Sequence, residues 1–177
     1  RRTADSYENW EWVWSVYREG SSWHVLVHNE FHDAISATCQ PGNPAPGNPC
    51  WYNSVTHAVS TDGGHTFTKP LAPAHVIAPA VEVWTPPTQK PTQSFPIGFV
   101  GGPIIRHTDG YYHAIVNLHM STTAPTYNYV CLSRTDDLDD PSSWRAWDGS
   151  GFSLRMASPY VTGVPGSVCP SLSQMTN

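Results

Sequence analysis

The chain has few charged residues and no long uninterrupted apolar run. Asp, Glu, Lys and Arg make up 13% of its 177 residues, and 9 basic against 14 acidic residues give a net charge of −5. Because there is no basic stripe to neutralise phosphates, the chain is not expected to bind nucleic acid. Because no segment approaches the roughly 20 consecutive apolar residues of a transmembrane helix, it is not expected to span a membrane.

Cysteine is also scarce, and no pair has the Cys-x-x-Cys spacing of a structural zinc site. The four cysteines, Cys39, Cys50, Cys131 and Cys169, allow three disulfide pairings. Cys39 and Cys50 flank a Pro/Gly loop that cannot fold by itself, so a bridge closing that loop is the simplest interpretation, with Cys131–Cys169 as the remaining pair. The alternative is four reduced, buried thiols. Disulfides predict an oxidising, extracellular compartment and therefore a secreted protein.

The chain also lacks a signal peptide and an initiating methionine. It begins with Arg1-Arg2, which indicates a processed form or a segment of a longer protein. Turn-forming residues and aromatics are plentiful instead: 17 Pro, 13 Gly and 12% Phe, Trp and Tyr. Proline and glycine commonly form the turns that end short strands, so this composition predicts an all-β fold in a single domain over 1–177.

Strand-like segments occur in two similar sets. Alternating aromatic and β-branched residues predict strands at 10–18, 23–29 and 51–60, with a short fourth strand around Thr66-Phe67, and then at 102–106, 111–119, 127–134 and 144–147. A four-stranded unit repeated after about 75 to 90 residues predicts β-propeller blades, over about 10–69 and 100–149, with another start near 167. Propellers close with about four blades or more, whereas this chain supplies two to three. The other blades would come from a longer chain or another subunit; the alternative fold is a β-sandwich.

A polar turn at 60–67, Ser-Thr-Asp-Gly-Gly-His-Thr-Phe, follows the third predicted strand. Ser60 and Asp62 can bond backbone N–H groups of their own turn. Gly63 and Gly64 accept the positive φ that a tight hairpin requires. Phe67 can pack under the turn. An ordinary Asp-Gly-Gly hairpin is the alternative interpretation.

The pattern Ser-x-Asp-x-Gly-x-Thr-Phe at 60–67 resembles the Asp-box of sialidases and other secreted β-propellers. Two further passages, 101–113 and 133–144, are similar to the opening and closing parts of blades in arabinanase-like and fructosidase-like enzymes. The resemblance implies a five- or six-bladed propeller of the secreted glycoside hydrolase type. A sialidase also needs an arginine cluster and a tyrosine nucleophile. Arg18, Arg106 and Arg134 lie on predicted strands or at the far end, so they form no such cluster.

In propellers of this type the ligand lies at one end of the central channel, away from the Asp-box, and the loop after the second strand faces it. The resemblance therefore places Glu30 and Asp33, with Glu82 from another facing loop, as candidate catalytic carboxylates. A glycosidase needs two carboxyl groups about 5 to 9.5 Å apart. The expected function is hydrolysis of a glycan by carboxylate acid/base catalysis, with no cofactor and no metal. The alternative function is a non-catalytic module that binds glycan or protein.

Candidate substrate-binding residues surround these carboxylates. They are His28, His32, Trp84, Asn117 and His119. Imidazoles can orient a carboxylate, and an indole can stack on a sugar ring. Each residue also has a structural alternative: Glu30 can merely pair with a neighbouring histidine, and Trp84 can pack on its Pro-rich loop. His28, His32 and Asp33 could together ligate a metal, but their spacing carries little weight for that role.

Overall fold

The computed structural model shows an all-β protein, as the composition predicts. It describes residues 3–33, 51–80, 83–84, 96–120, 127–162 and 169–170, with only the backbone at 51, 96–101, 118–120 and 127–129. The strands within these ranges are β1 (Trp10–Glu19), β2 (Ser22–His32), β3 (Trp51–Ser60), β4 (Val76–Ala78), β5 (Pro96–Gly101), β6 (Ile105–Arg106), β7 (Tyr112–Met120), β8 (Tyr127–Thr135), β9 (Arg145–Trp147) and β10 (Phe152–Leu154).

Helical structure in the described ranges is short. It consists of 3-10 turns at Ala4–Ser6 and Pro141–Ser143 and the four-residue helix α1 (Pro159–Thr162). None of these helices has the length and apolar character needed to cross a membrane.

The strands form two antiparallel sheets in which consecutive strands mostly pair with each other. The first sheet has the order β1-β2-β3-β4. The second has the order β10-β9-β8-β7-β5, with β6 pairing along the same strand, β7, as β5. The predicted strands at 10–18, 23–29, 51–60, 111–119 and 127–134 are confirmed as β1, β2, β3, β7 and β8. Within the described residues neither sheet closes on itself.

The fourth strand of the first repeat is not where the sequence predicts it. The segment around Thr66-Phe67 makes a single bridge, between Val59 and Thr68, and Phe67 is 41% exposed rather than packed under the turn. The fourth strand is β4, whose three residues are buried and pair with the middle of β3. An apolar Val-Ile-Ala run gains more from burial than a Thr-Phe pair attached to a polar turn.

The first strand of the second repeat, predicted at 102–106, is interrupted in the structure. β5 ends at Gly101, just before the predicted range, and within that range only β6 (Ile105–Arg106) is a strand. Both β5 and β6 pair with β7. At the break the backbone of Gly102 approaches β7 so closely that a Cβ would lie 2.7 Å from the carbonyl oxygen of Ile115. The N–H of Ile104 then donates to the Ser15 hydroxyl of β1 at 2.8 Å. This hydrogen bond connects the two sheets.

One hydrophobic core is shared by both sheets. It includes Leu26 and Val55 of the first sheet and Tyr112, Ala114, Val116, Cys131 and Ala146 of the second. The disulfide Cys131–Cys169 is buried in this core, with 5.7 Å between its Cα atoms, so the predicted pair is confirmed. The predicted Cys39–Cys50 pair and the predicted start of a further repeat at 167 lie outside the described residues.

Strand β2 runs further than predicted, and this extension positions the candidate site. The sequence predicts a strand at 23–29 followed by a loop that starts at Glu30. In the structure β2 continues to His32, where Glu30 pairs with Asn53 of β3. Because successive side chains of a strand point to opposite faces, Glu30 shares a face with His28 and His32, whereas Phe31 points to the other face.

Candidate functional site

The carboxylate of Glu30 lies between two imidazoles near one end of the first sheet. Nε2 of His28 is 2.8 Å from Oε1 of Glu30, and Nε2 of His32 is 3.0 Å from Oε2. An ionised carboxylate can only accept hydrogen bonds, so both imidazoles donate to it. The side chain of Glu30 is 14% exposed, so it is largely shielded from solvent, and the two imidazoles fix its orientation.

Three tryptophans of the edge strand β1 surround this group. Trp10 is paired with Glu30 and Trp12 with His28 in the β1–β2 register. The Trp10 ring lies 6.4 Å from the ring of His32, and the rings of Trp12 and Trp14 each lie 6.3 Å from that of His28. All three indoles are between 45% and 63% exposed. This tryptophan face, Trp10, Trp12 and Trp14, offers apolar ring surface to a ligand beside a fixed carboxylate.

Sequence reasoning missed the tryptophan face as part of the site. The run Trp10-Glu-Trp12-Val-Trp14 predicts a strand but, taken alone, no binding surface. Its spacing of two is the signal that places the indoles on one side of a strand. What the sequence does not show is that β1 is the edge of its sheet, so that these large apolar side chains face solvent.

Asp33 and Trp84 come together on the opposite face of the first sheet. Nε1 of Trp84 donates to Oδ2 of Asp33 at 3.3 Å. The Trp84 ring packs edge-on against Phe31 and Tyr52, at 5.8 and 6.0 Å between ring centroids. Phe31 and Tyr52 are a cross-strand pair adjacent to the Glu30–Asn53 pair, so they point away from Glu30. The structure thus divides the predicted cluster between two faces.

The remaining predicted site residues are placed as follows. Asn117 lies in the middle of β7 and is exposed. His119 is near the end of β7, paired with Ile97 and Asn128. Glu82 lies outside the described residues. The alternative metal set of His28, His32 and Asp33 is not assembled, because Glu30 occupies the space between the two imidazoles and Asp33 bonds Trp84.

The polar turn at 60–67 lies at the other end of the same strands. Trp23, near the start of β2, pairs with Ser60, whereas Glu30 is near the end of β2. Asp62 accepts from the Thr66 backbone N–H at 2.9 Å and from the Thr66 hydroxyl at 2.6 Å. The Ser60 hydroxyl donates to Asp62 at 2.7 Å and accepts from the Gly64 N–H at 2.9 Å.

This network has an electrostatic consequence for Asp62. The hydroxyl and N–H of Thr66, together with the Ser60 hydroxyl, hold the pKa of the Asp62 carboxyl well below its usual range. Gly63 and Gly64 adopt φ of 78° and 90°, which side-chain-bearing residues rarely tolerate. The turn is therefore a self-contained hydrogen-bonded unit, and its polar groups are occupied with one another rather than directed at a ligand.

The corresponding turn of the second sheet, 135–143, is held differently. Thr135 Oγ1 accepts from the Asp137 N–H at 3.0 Å, and Asp140 accepts from the Ser142 N–H at 2.8 Å. The hydroxyls of Thr135 and Ser143 also hydrogen-bond each other. The two turns occupy equivalent places after β3 and β8 but use different residues.

No protein-family model, curated protein or solved structure matches the chain.

Proposed function

We propose that the protein is a carbohydrate-active β-propeller protein, related to glycoside hydrolases, that acts on a glycan at the tryptophan face with Glu30 as its catalytic carboxylate. The observation that carries this proposal is the Glu30 carboxylate held by His28 and His32 beside three exposed indoles. Sugar rings present C–H groups that stack on aromatic faces and hydroxyls that bond carboxylates and imidazoles. The site offers both kinds of group on one surface.

The propeller assignment is supported by the arrangement of the strands. Each sheet is an antiparallel meander, and the first is buried on both faces in its inner strands. The Asp62 turn has the hydrogen bonding expected of an Asp-box, with Ser60, Asp62 and Thr66 linked to one another. Val13 and Val16, on the face of β1 away from the tryptophan face, remain about half exposed, and a further blade would cover them.

The proposed chemistry assigns a distinct task to each group. A carboxylate fixed by two donors is oriented to take a proton from a water or to attack an anomeric carbon. His28 and His32 hold Glu30 in place, and the indoles hold the sugar ring over it. The second carboxyl group of a glycosidase is assigned to Glu82, since Asp33 is bonded to Trp84 on the other face.

We further propose that the protein is secreted. The Cys131–Cys169 disulfide supports an oxidising compartment, because such bridges form and persist outside the cytosol.

The decisive experiment replaces Glu30 by glutamine, which keeps the shape and removes the charge. The wild-type chain is assayed on aryl-glycosides and a polysaccharide panel, and Glu30→Gln is expected to lower turnover by roughly 100-fold or more. Asp136→Asn, the same acid-to-amide change at an exposed position in the turn after β8, is the control and should leave turnover unchanged. Wild-type rates in a folded Glu30→Gln variant would rule out the catalytic role.

A second candidate function is glycan binding without hydrolysis. It is favoured by one observation: Asp33, the acidic residue nearest to Glu30 along the sequence after β2 ends, is engaged by Trp84 on the far face. In that case the wild type binds an oligosaccharide in calorimetry but releases no product. Trp12→Ala should then abolish binding, while Trp12→Phe, which keeps an aromatic face, should retain most of it.

A further inference from the structure

The hairpin turn between β6 and β7 brings together two imidazoles and a carboxylate. The ligand-type atoms of His107, Asp109 and His113 all lie within 4.8 Å of one another. We propose that these three residues form a binding site for a divalent transition-metal ion of the zinc class, at the end of the molecule opposite Glu30. Two imidazole nitrogens and a carboxylate oxygen are a ligand set that suits zinc, with water completing the coordination.

The backbone of the turn holds the three residues in place before any ion binds. The N–H of His107 donates to the carbonyl of Tyr111 at 2.9 Å, and the N–H of Gly110 donates to the carbonyl of His107 at 3.1 Å. Asp109 Oδ1 accepts from the Tyr111 N–H at 3.0 Å. Gly110 closes the turn with φ of 89°. A preformed turn means that binding an ion does not require ordering a loop.

The spacing of the donor atoms fits tetrahedral coordination. With metal–ligand bonds of about 2.0–2.1 Å, neighbouring ligand atoms of a tetrahedral site lie about 3.3 Å apart. Nδ1 of His107 is 3.2 Å from Oδ1 of Asp109, and Nε2 of His113 is 3.3 Å from the same oxygen. Two of the three edges between protein ligands are therefore already at the required length, and an ion at Nδ1 of His107 replaces the hydrogen bond that this atom accepts from the Asp109 N–H at 3.3 Å.

Neighbouring aromatic rings restrict the two imidazoles. The rings of His107 and His113 meet edge to face at 5.4 Å, and the ring of His113 also packs edge to face against Phe152 at 5.7 Å. The side chain of His113 is only 12% exposed, whereas that of His107 is 58% exposed. One ligand is thus fixed by packing, and the other lies on the solvent side where an ion can enter.

Arg134 is the group that opposes binding. Its guanidinium lies between the rings of Tyr111 and Phe152, at 3.9 and 4.3 Å from their centroids. One of its nitrogens is 3.7 Å from Oδ2 of Asp109. A cation bound between the histidines is repelled by this charge, while the same charge keeps the carboxylate in position. Without an ion, the three residues form an ion-paired cluster with Arg134, which is the alternative that the experiment must exclude.

The site is separate from the proposed glycan site. Glu19, at the end of β1, bonds Arg106 and Tyr112 beside this turn, and Glu19 pairs with Ser22 at the start of β2. Glu30 lies eight positions further along β2, roughly 26 Å away at about 3.3 Å per residue. Failure of one proposal therefore leaves the other intact.

The test uses the untagged chain, because an added histidine tag would bind the same ions. Zn²⁺ is titrated by calorimetry, and Co²⁺ is used as a spectroscopic probe, since tetrahedral Co²⁺ gives intense visible bands. We expect one ion per chain and a tetrahedral Co²⁺ spectrum. Loss of an outer partner of a metal ligand weakens binding by about 10- to 100-fold, and His107→Gln and His113→Gln remove direct ligands, so each should weaken it by at least about tenfold.

Two control variants address the other histidine groups. His65→Gln changes an exposed histidine in the Asp62 turn, and Glu30→Gln disrupts the group that contains His28 and His32. Neither should change the affinity for Zn²⁺ or the Co²⁺ spectrum. If His65→Gln or Glu30→Gln removes the binding while His113→Gln keeps it, the proposal is wrong. Octahedral Co²⁺ or no binding by the folded wild type also overturns it.

Arg134→Met gives an independent readout that a purely structural cluster would not show. Methionine can still pack between Tyr111 and Phe152 but carries no charge. The affinity for Zn²⁺ should rise several-fold, because the repulsion is removed. In a cluster without a metal site, the same substitution would only lower thermal stability. Unchanged or weaker Zn²⁺ binding by folded Arg134→Met would contradict the proposed geometry.

Discussion

The imidazole rings of His24 and His57 stack face to face inside the first sheet, with centroids 5.4 Å apart and planes inclined by 16°. Each residue is 1% exposed, and neither ring nitrogen of His57 has a hydrogen-bond partner among the residues that the structure describes. Burial, reinforced by the neighbouring His24, lowers the pKa of His57 from 6.5 to about 3. The folded protein therefore keeps His57 neutral at pH values where the unfolded chain protonates it.

We expect the protein to lose stability in mild acid. The contribution of His57 is fully present above about pH 6.5 and declines towards pH 3, by up to about 1.4 kcal/mol per pH unit, because only the unfolded chain takes up the proton. Urea unfolding measured at several pH values across this range gives the slope. His57→Phe should flatten it and His65→Gln should not; equal slopes in His57→Phe and the wild type would refute the assignment.

Ser60→Ala should destabilise the turn after β3. The hydroxyl is buried and bonded to both Gly64 and Asp62, so its removal leaves the Gly64 N–H without that acceptor. The expected loss is about 1–3 kcal/mol in the free energy of unfolding, measured by chemical denaturation. Thr61→Ala, at an exposed position in the same turn, serves as the control. Similar stabilities of the two variants would show that the network contributes little.

Asp33→Ala should affect stability rather than activity. The Asp33 carboxylate accepts from the Trp84 indole on the face away from Glu30. Its loss is expected to lower the free energy of unfolding by about 1–3 kcal/mol. Glycan turnover or binding should stay close to that of the wild type, because the Asp33 carboxylate lies on the face away from Glu30. If a folded Asp33→Ala variant lost as much turnover as Glu30→Gln, Asp33 would have to be a catalytic residue and this prediction would be wrong.

Replacing both Cys131 and Cys169 by alanine should cost more stability than any of these changes. The bridge joins residues 38 positions apart, and the loop-closure estimate for that separation is about 4 kcal/mol. Thermal unfolding of the double variant is compared with that of the wild type with and without reductant. Reductant should lower the melting temperature of the wild type towards that of the variant. Equal melting temperatures of all these samples would contradict the estimate.

The strands that alternate strongly were the ones predictable from sequence. β2 and β3 are rich in β-branched and aromatic residues, and their pairing follows from that pattern. β4 was missed because its three apolar residues lie in a Pro-rich passage without alternation. The fourth strand was assigned instead to Thr66-Phe67, next to the turn. Whether a short apolar segment forms a buried strand depends on the residues that pack against it, and the local sequence pattern carries no information about those residues.

The candidate site was predictable in part for a related reason. The sequence predicts Glu30 and Asp33 as candidate carboxylates, with His28 and His32 beside them. The sequence does not predict that β2 extends through His32. Because side chains alternate between the two faces of a strand, this extension puts His28, Glu30 and His32 on one face and Asp33 on the other. The tryptophan face remained hidden because exposure depends on β1 being an edge, which only the assembled sheet reveals.

The stacked pair Trp10 and Trp12, 6.2 Å apart with planes 18° from parallel, has a spectroscopic consequence. Two indoles this close couple their electronic transitions, so the pair contributes an exciton signal to circular dichroism. Because Trp10 is paired with Glu30 and Trp12 with His28, a molecule that binds over these two rings is expected to change that signal. The protein thus carries a built-in optical reporter, and ligands can be screened without labels.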